Sequence, residues 1–86
     1  SPSTTGGVMV KLAFELPSRS GGLKTVTTLA KINDRIPVAI HRNQVEFGRT
    51  AKDRPDHVEV IIRHGQLVGK STIRIGNVKA KVSIAE

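Results

Sequence analysis

The chain has no cysteine, no tryptophan and no tyrosine, and its only aromatic side chains are Phe14 and Phe47. Without cysteine there is no disulfide framework, no thiolate nucleophile and no Cys-ligated zinc site. With two aromatics in 86 residues, the core has to be built from Val, Ile, Leu and Ala. No apolar stretch approaches the roughly 20 residues that a membrane-spanning helix needs. The opening Ser1 to Gly7 is small and polar, with neither a basic nor an apolar region, so it is not a signal peptide. It reads as a flexible linker or the remnant of an expression tag. An opening Ser in place of Met is what a piece of a longer protein would show. Acids are scarce as well: seven Asp and Glu stand against fourteen Lys and Arg, a net charge of +7.

A chain this short makes one domain, here residues 8–86, and buries only about 60–65% of its unfolded surface. Its basic charge points to an acidic partner, which could be nucleic acid, an anionic membrane surface or an acidic protein segment. The same charge also keeps a small aliphatic β domain from pairing with copies of itself.

Alternation of apolar and polar residues dominates the pattern. Val8, Val10, Leu12, Phe14 and Leu16 share one phase of a strand, and Pro17 to Gly22 breaks it as a loop. From Leu23 to Ile32 the signals compete. The threonines favour a strand, whereas Val26, Leu29, Ala30 and Ile32 suit one face of a short helix with Thr25 as N-cap. The helix is the expectation adopted. Ile36, Val38 and Ile40 return to period two. Pro37 on the other phase calls for an edge position or an N–H side that faces away from the ladder. Val45 to Phe47 forms a brief strand, and Gly48 to Asp56 a polar loop. Val58, Val60 and Ile62 define the next strand, ending in a tight turn at His64-Gly65. Leu67 to Ile75 is expected as one strand with a bulge or a close backbone approach at Gly69, and after Gly76-Asn77 the phase of Val78, Ala80, Val82 and Ile84 closes an antiparallel three-strand meander. The fold class is mainly β with one short helix.

Catalytic signals are weak. His41, His57 and His64, with Asp53 and Asp56 between them, match no ligand spacing, and isolated surface histidines account for them more simply. No serine sits in a nucleophile elbow. Gly65 to Ser71 ends like a phosphate-binding loop but is one residue short and precedes a strand, not a helix. A single-strand nucleic-acid binder of β type stacks bases on exposed aromatics. Phe14 lies on the core phase, which leaves Phe47 as the one free candidate. A basic β-barrel that binds nucleic acid is therefore the alternative reading.

The strands' second faces are only partly charged. Met9, Ala13, Ala39, Ile61 and Ala85 lie there beside Lys11, Arg63, Arg74 and Lys79, so a second burial against a partner is expected.

In register, the chain resembles the SPOA (surface presentation of antigens) domains of the FliM/FliN and SctQ C-ring family. The opening similarity rests on Val10, Leu12, Glu15 and Leu16, then Thr28, Leu29 and Ile32, then Asp34, Ile36, Val38 and Ile40. The closing similarity rests on Val60, Ile62, Gly65, Leu67, Gly69, Ile73, Ile75, Val82 and Ile84. The chain departs from the pattern where Asn33-Asp34 lacks the family's glycine, at Pro37, and at Gly69-Lys70-Ser71-Thr72, where a lysine replaces acidic character. The resemblance implies a cytoplasmic scaffold and protein-interaction module at the inner-membrane base of a flagellar switch or type III secretion system. It implies a strand-exchanged, intertwined homo- or heterodimer with another SPOA domain, here a more acidic one. It also implies docking of the stator protein that regulates the export ATPase, with no cofactor, reaction or small-molecule substrate. The outward residues expected to carry protein interaction are Met9, Lys11, Ala13, Ile61, Arg63 and Arg74.

Overall fold

The computed structural model describes residues 8–85; the Ser1 to Gly7 lead-in lies outside them. Among the described residues eight strands and one short helix follow in the order β1 (Met9–Pro17), β2 (Leu23–Lys31), β3 (Asp34–His41), β4 (Gln44–Phe47), α1 (Arg49–Lys52), β5 (Val58–Arg63), β6 (Gln66–Val68), β7 (Thr72–Ile75) and β8 (Val78–Ala85). They form two four-stranded antiparallel sheets. Sheet A has the order β2-β1-β8-β7 and sheet B the order β4-β3-β5-β6.

The inward phases of both sheets meet in one aliphatic core. Leu12, Phe14, Leu16, Ala80 and Val82 from sheet A lie against Ile36, Val38, Val60 and Ile62 from sheet B. Phe14 and Phe47 touch across the layers, with ring centroids 5.3 Å apart in a tilted geometry. Aromatic pairs favour such offset contacts over face-to-face stacking. Phe47 is thus a half-buried core residue and not the free stacking surface expected of it.

The expected helix over Leu23 to Ile32 is instead strand β2, paired residue for residue with β1 from Met9–Lys31 to Pro17–Leu23. Its inward phase is Lys24, Val26, Thr28 and Ala30, and its outward phase includes Leu23 and Leu29, which are 65% and 62% exposed. The helical spacing depended on counting Leu29 as a core residue. Once β1 offers nine backbone partners, β-branched threonines and a ladder outweigh that pattern. The helix lies elsewhere, inside the segment expected to be a loop. Ala51 of α1 is fully buried, and Ala39 of β3 is 1% exposed, because this single turn covers the outer side of β3 and β4. Ala39 therefore finds its second burial within its own chain.

Leu67 to Ile75 is not one strand. It divides into β6 in sheet B and β7 in sheet A, with Gly69 at φ 94° in the crossover. A nine-residue strand would have continued past the edge of one sheet, whereas a break at a residue free of Cβ strain lets the chain change layers. The expected three-strand meander accordingly becomes two hairpins, β5–β6 and β7–β8, one in each sheet.

Pro37 sits inside β3 between two neighbours, opposite Glu59 of β5. Its carbonyl accepts the Gly48 N–H at 2.9 Å. Its own missing N–H therefore faces the side where β4 has just ended, so it interrupts no ladder.

Candidate protein-interaction surface

The outward phases of the two sheets give the molecule two broad faces. On sheet A, the register places Met9, Lys11, Ala13 and Glu15 of β1 between Leu23, Thr25, Thr27, Leu29 and Lys31 of β2 and Lys79, Lys81 and Ser83 of β8, with Thr72 and Arg74 of β7 beyond. Lys11, Lys31, Arg74, Lys79 and Lys81 are all exposed, and Glu15 is the one acid among them. Arg74 stands directly opposite Lys79. Like charges in that position are unfavourable in an isolated sheet.

The acids gather on the other side. Asp34, Glu46, Asp53, Asp56 and Glu59 lie on sheet B, α1 and the adjoining loops. Asp34, Glu46 and Glu59 have structural work there. Arg54 donates to both carboxylate oxygens of Glu46, Nε to Oε1 at 2.8 Å and a terminal nitrogen to Oε2 at 3.0 Å. This ties the segment after α1 to β4 and holds the Glu46 carboxyl below the usual carboxylate range. Arg35 donates to Glu59 at 2.8 Å across β3 and β5 and lowers that carboxyl too. Asp34 accepts the Lys31 and Arg35 backbone N–H groups at the bend between the sheets. Among the described residues these are the only two ion pairs; on the outer face of sheet A Glu15, opposite Lys81, is the one acid beside five exposed cations.

The six residues singled out from sequence divide between these faces. Met9, Lys11 and Ala13 lie together on β1, and Arg74 lies on the same face two strands away, across β8. Ile61 and Arg63 lie on the outer side of β5 in sheet B, beside a shallow depression formed with Asn33, Asp34 and Arg35. The sheet A residues that join the first group are Leu23, Leu29, Lys31, Lys79 and Lys81. The outward phase of β8 was readable from its alternation. That of β2 was hidden by the helical reading, which assigned Leu29 to a core.

The histidines do not converge. His57 Nδ1 bonds the Arg54 carbonyl at 2.6 Å, and the backbone N–H of His64 donates to Asn33 Oδ1 at 3.0 Å. Among the described residues no group of three His, Asp or Glu side chains could hold a metal ion, no charged side chain is buried, and no helix is long and apolar enough to cross a membrane. The arrangement offers association across a surface, with charge and apolar contact side by side. The chain matches no family model, no curated protein and no solved structure.

Proposed function

We propose that this domain is a structural scaffold and protein-interaction module that docks an acidic partner on the outer face of sheet A. The observation that carries the reading is the uneven balance of charge: five exposed cations and one acid, Glu15, beside Met9, Leu23 and Leu29 on one face, with five acids on the sheet B side, where Glu46 and Glu59 pair with Arg54 and Arg35. Such a face gives steering by charge and burial by short apolar groups. The resemblance to SPOA domains supplies the specific form. The partner is a more acidic SPOA domain of a flagellar or type III secretion C-ring, at the cytoplasmic side of the inner membrane, together with the stator protein that regulates the ATPase. The domain acts there without cofactor or catalysis.

The alternative is nucleic-acid binding, which the same cations would favour. The Phe14–Phe47 contact weighs against it, because both rings are taken up by the core and base stacking would lack a platform.

Co-expression with an acidic SPOA domain, followed by light scattering on the eluted complex, tests the specific form; a stable heterodimer is expected. Titration with single-stranded oligonucleotide at about 150 mM salt tests the alternative. Binding that weakens linearly in log salt, with no protein partner retained, would overturn the scaffold reading.

A further inference from the structure

Among the described residues four strands lie at sheet edges: β2 and β7 in sheet A, β4 and β6 in sheet B. Three of them are only three or four residues long, and α1 packs on β4. Short or covered edges are the usual protection against unwanted pairing. β2 is different. It runs nine residues with an unbroken one-to-one register, so it has no bulge, and it contains no proline. Its lysines, 24 and 31, sit near its ends, and Lys24 is turned away to the Asn43 carbonyl at 2.7 Å. The stretch from Thr25 to Ala30 carries no charge at all.

The side to which its backbone points is set at both ends. Lys31 gives its N–H to Asp34 and not to β1, and Pro17, opposite Leu23, has no N–H to give. Backbone groups of successive residues alternate between the two sides of a strand. The N–H and C=O groups of Leu23, Thr25, Thr27 and Leu29 therefore face the open edge. The side chains of the same four residues lie on the basic outer face.

We infer that β2 is the site where an extended acidic segment of a partner adds as a fifth strand to sheet A. This inference deepens the docking reading above and rests on it. Main-chain bonds to β2 would give affinity and alternate side chains specificity. On the outer face, the added strand would lay apolar groups on Leu29 and Leu23 and acidic groups near Lys31 and Lys11, which stands opposite Leu29. A second copy of this chain fits less well, because pairing β2 with itself would join two basic faces.

The probe is a short capped peptide whose every second residue is in turn glutamate or valine, with threonine between, so that both kinds of side chain fall on one face; it is titrated into the isotope-labelled domain. Amide protons of Thr25, Thr27 and Leu29 should exchange at least about tenfold more slowly in the complex. Thr27→Pro removes one outward N–H and no bond to β1, so it should leave the fold intact and weaken binding at least about tenfold. The exchange measurement on the unmodified domain stands even if that variant misfolds. Binding that shifts Lys79 and Lys81 but leaves the β2 amides unprotected would overturn strand addition while the docking reading survives. No binding of the peptide at all would overturn both. Self-association of the domain that disappears in Thr27→Pro would replace the acidic partner with a second copy.

Discussion

Ile62 is 1% exposed in the centre of sheet B, and its side chain meets the sheet A layer. Ile62→Ala should cost about 2–5 kcal/mol, through lost burial and the cavity left behind. Urea unfolding followed by circular dichroism measures it, and a small domain has little more than that to lose. The ion pairs act on a lesser scale, through pH. Glu46 and Glu59 have carboxyls held below their ordinary value of 4.5 by hydrogen bonds from Arg54 and Arg35. A carboxyl lowered in the folded state stabilises above its unfolded pKa and loses that contribution as pH falls through the folded one. Thermal unfolding should therefore show stability declining below about pH 4.5, with a shallower decline in Arg54→Met. A slope unchanged by that substitution would mean that the pair contributes nothing measurable. Residues on strict alternation were legible from the start: Leu12, Phe14, Val60, Ile62 and Val82 are buried as their phase required. Phe47 was not. It was taken for a free ring because β4 is too short to show a phase, and only the opposing layer reveals that the ring meets Phe14.

Among the elements, β2 and α1 show where local pattern and tertiary structure part. The i, i+3, i+4 spacing in β2 was real, but its key member Leu29 is 62% exposed, and the neighbouring strand decided the outcome. Alternating amide exchange in the free domain checks this directly. Val26, Thr28 and Ala30, whose N–H groups face β1, should exchange slowly, while Thr25, Thr27 and Leu29 exchange fast. Uniform protection along the segment would indicate a helix. Conversely, α1 has four residues and could not persist alone. It exists because Ala51 seats on β3. Ala51→Leu should overpack that contact and destabilise by about 1–3 kcal/mol, read as a lower urea midpoint at unchanged slope. The Gly48 to Asp56 composition gave no hint of this helix, since its one apolar residue is too few to set a period. The β6–β7 break was legible in part, because an irregularity was expected at Gly69, but a change of sheet is a property of the closed sandwich and leaves no local signal.

In the whole molecule, the distribution of charge matters more than its sum. The excess of basic residues was plain in the composition, whereas its concentration on one sheet depended on knowing which strands are neighbours. The candidate surface was therefore half legible: Met9, Lys11, Ala13 and Arg74 were drawn from sequence, and Leu29, Lys31 and Lys81 joined them only through the register of sheet A. Ile61 and Arg63 share the outward phase but belong to the other layer. The central claim is that partners dock on sheet A. Calorimetric titration of a partner acidic domain, or of the glutamate–valine peptide in its place, into two charge-reversed variants tests it most directly. One carries Lys11→Glu, Lys79→Glu and Lys81→Glu on sheet A; the other carries Arg49→Glu and Arg63→Glu on the sheet B side. With both variants folded by circular dichroism, the first should lose at least about tenfold in affinity and the second should bind much as the unmodified domain does. Equal binding by the first variant, or loss confined to the second, would contradict the account.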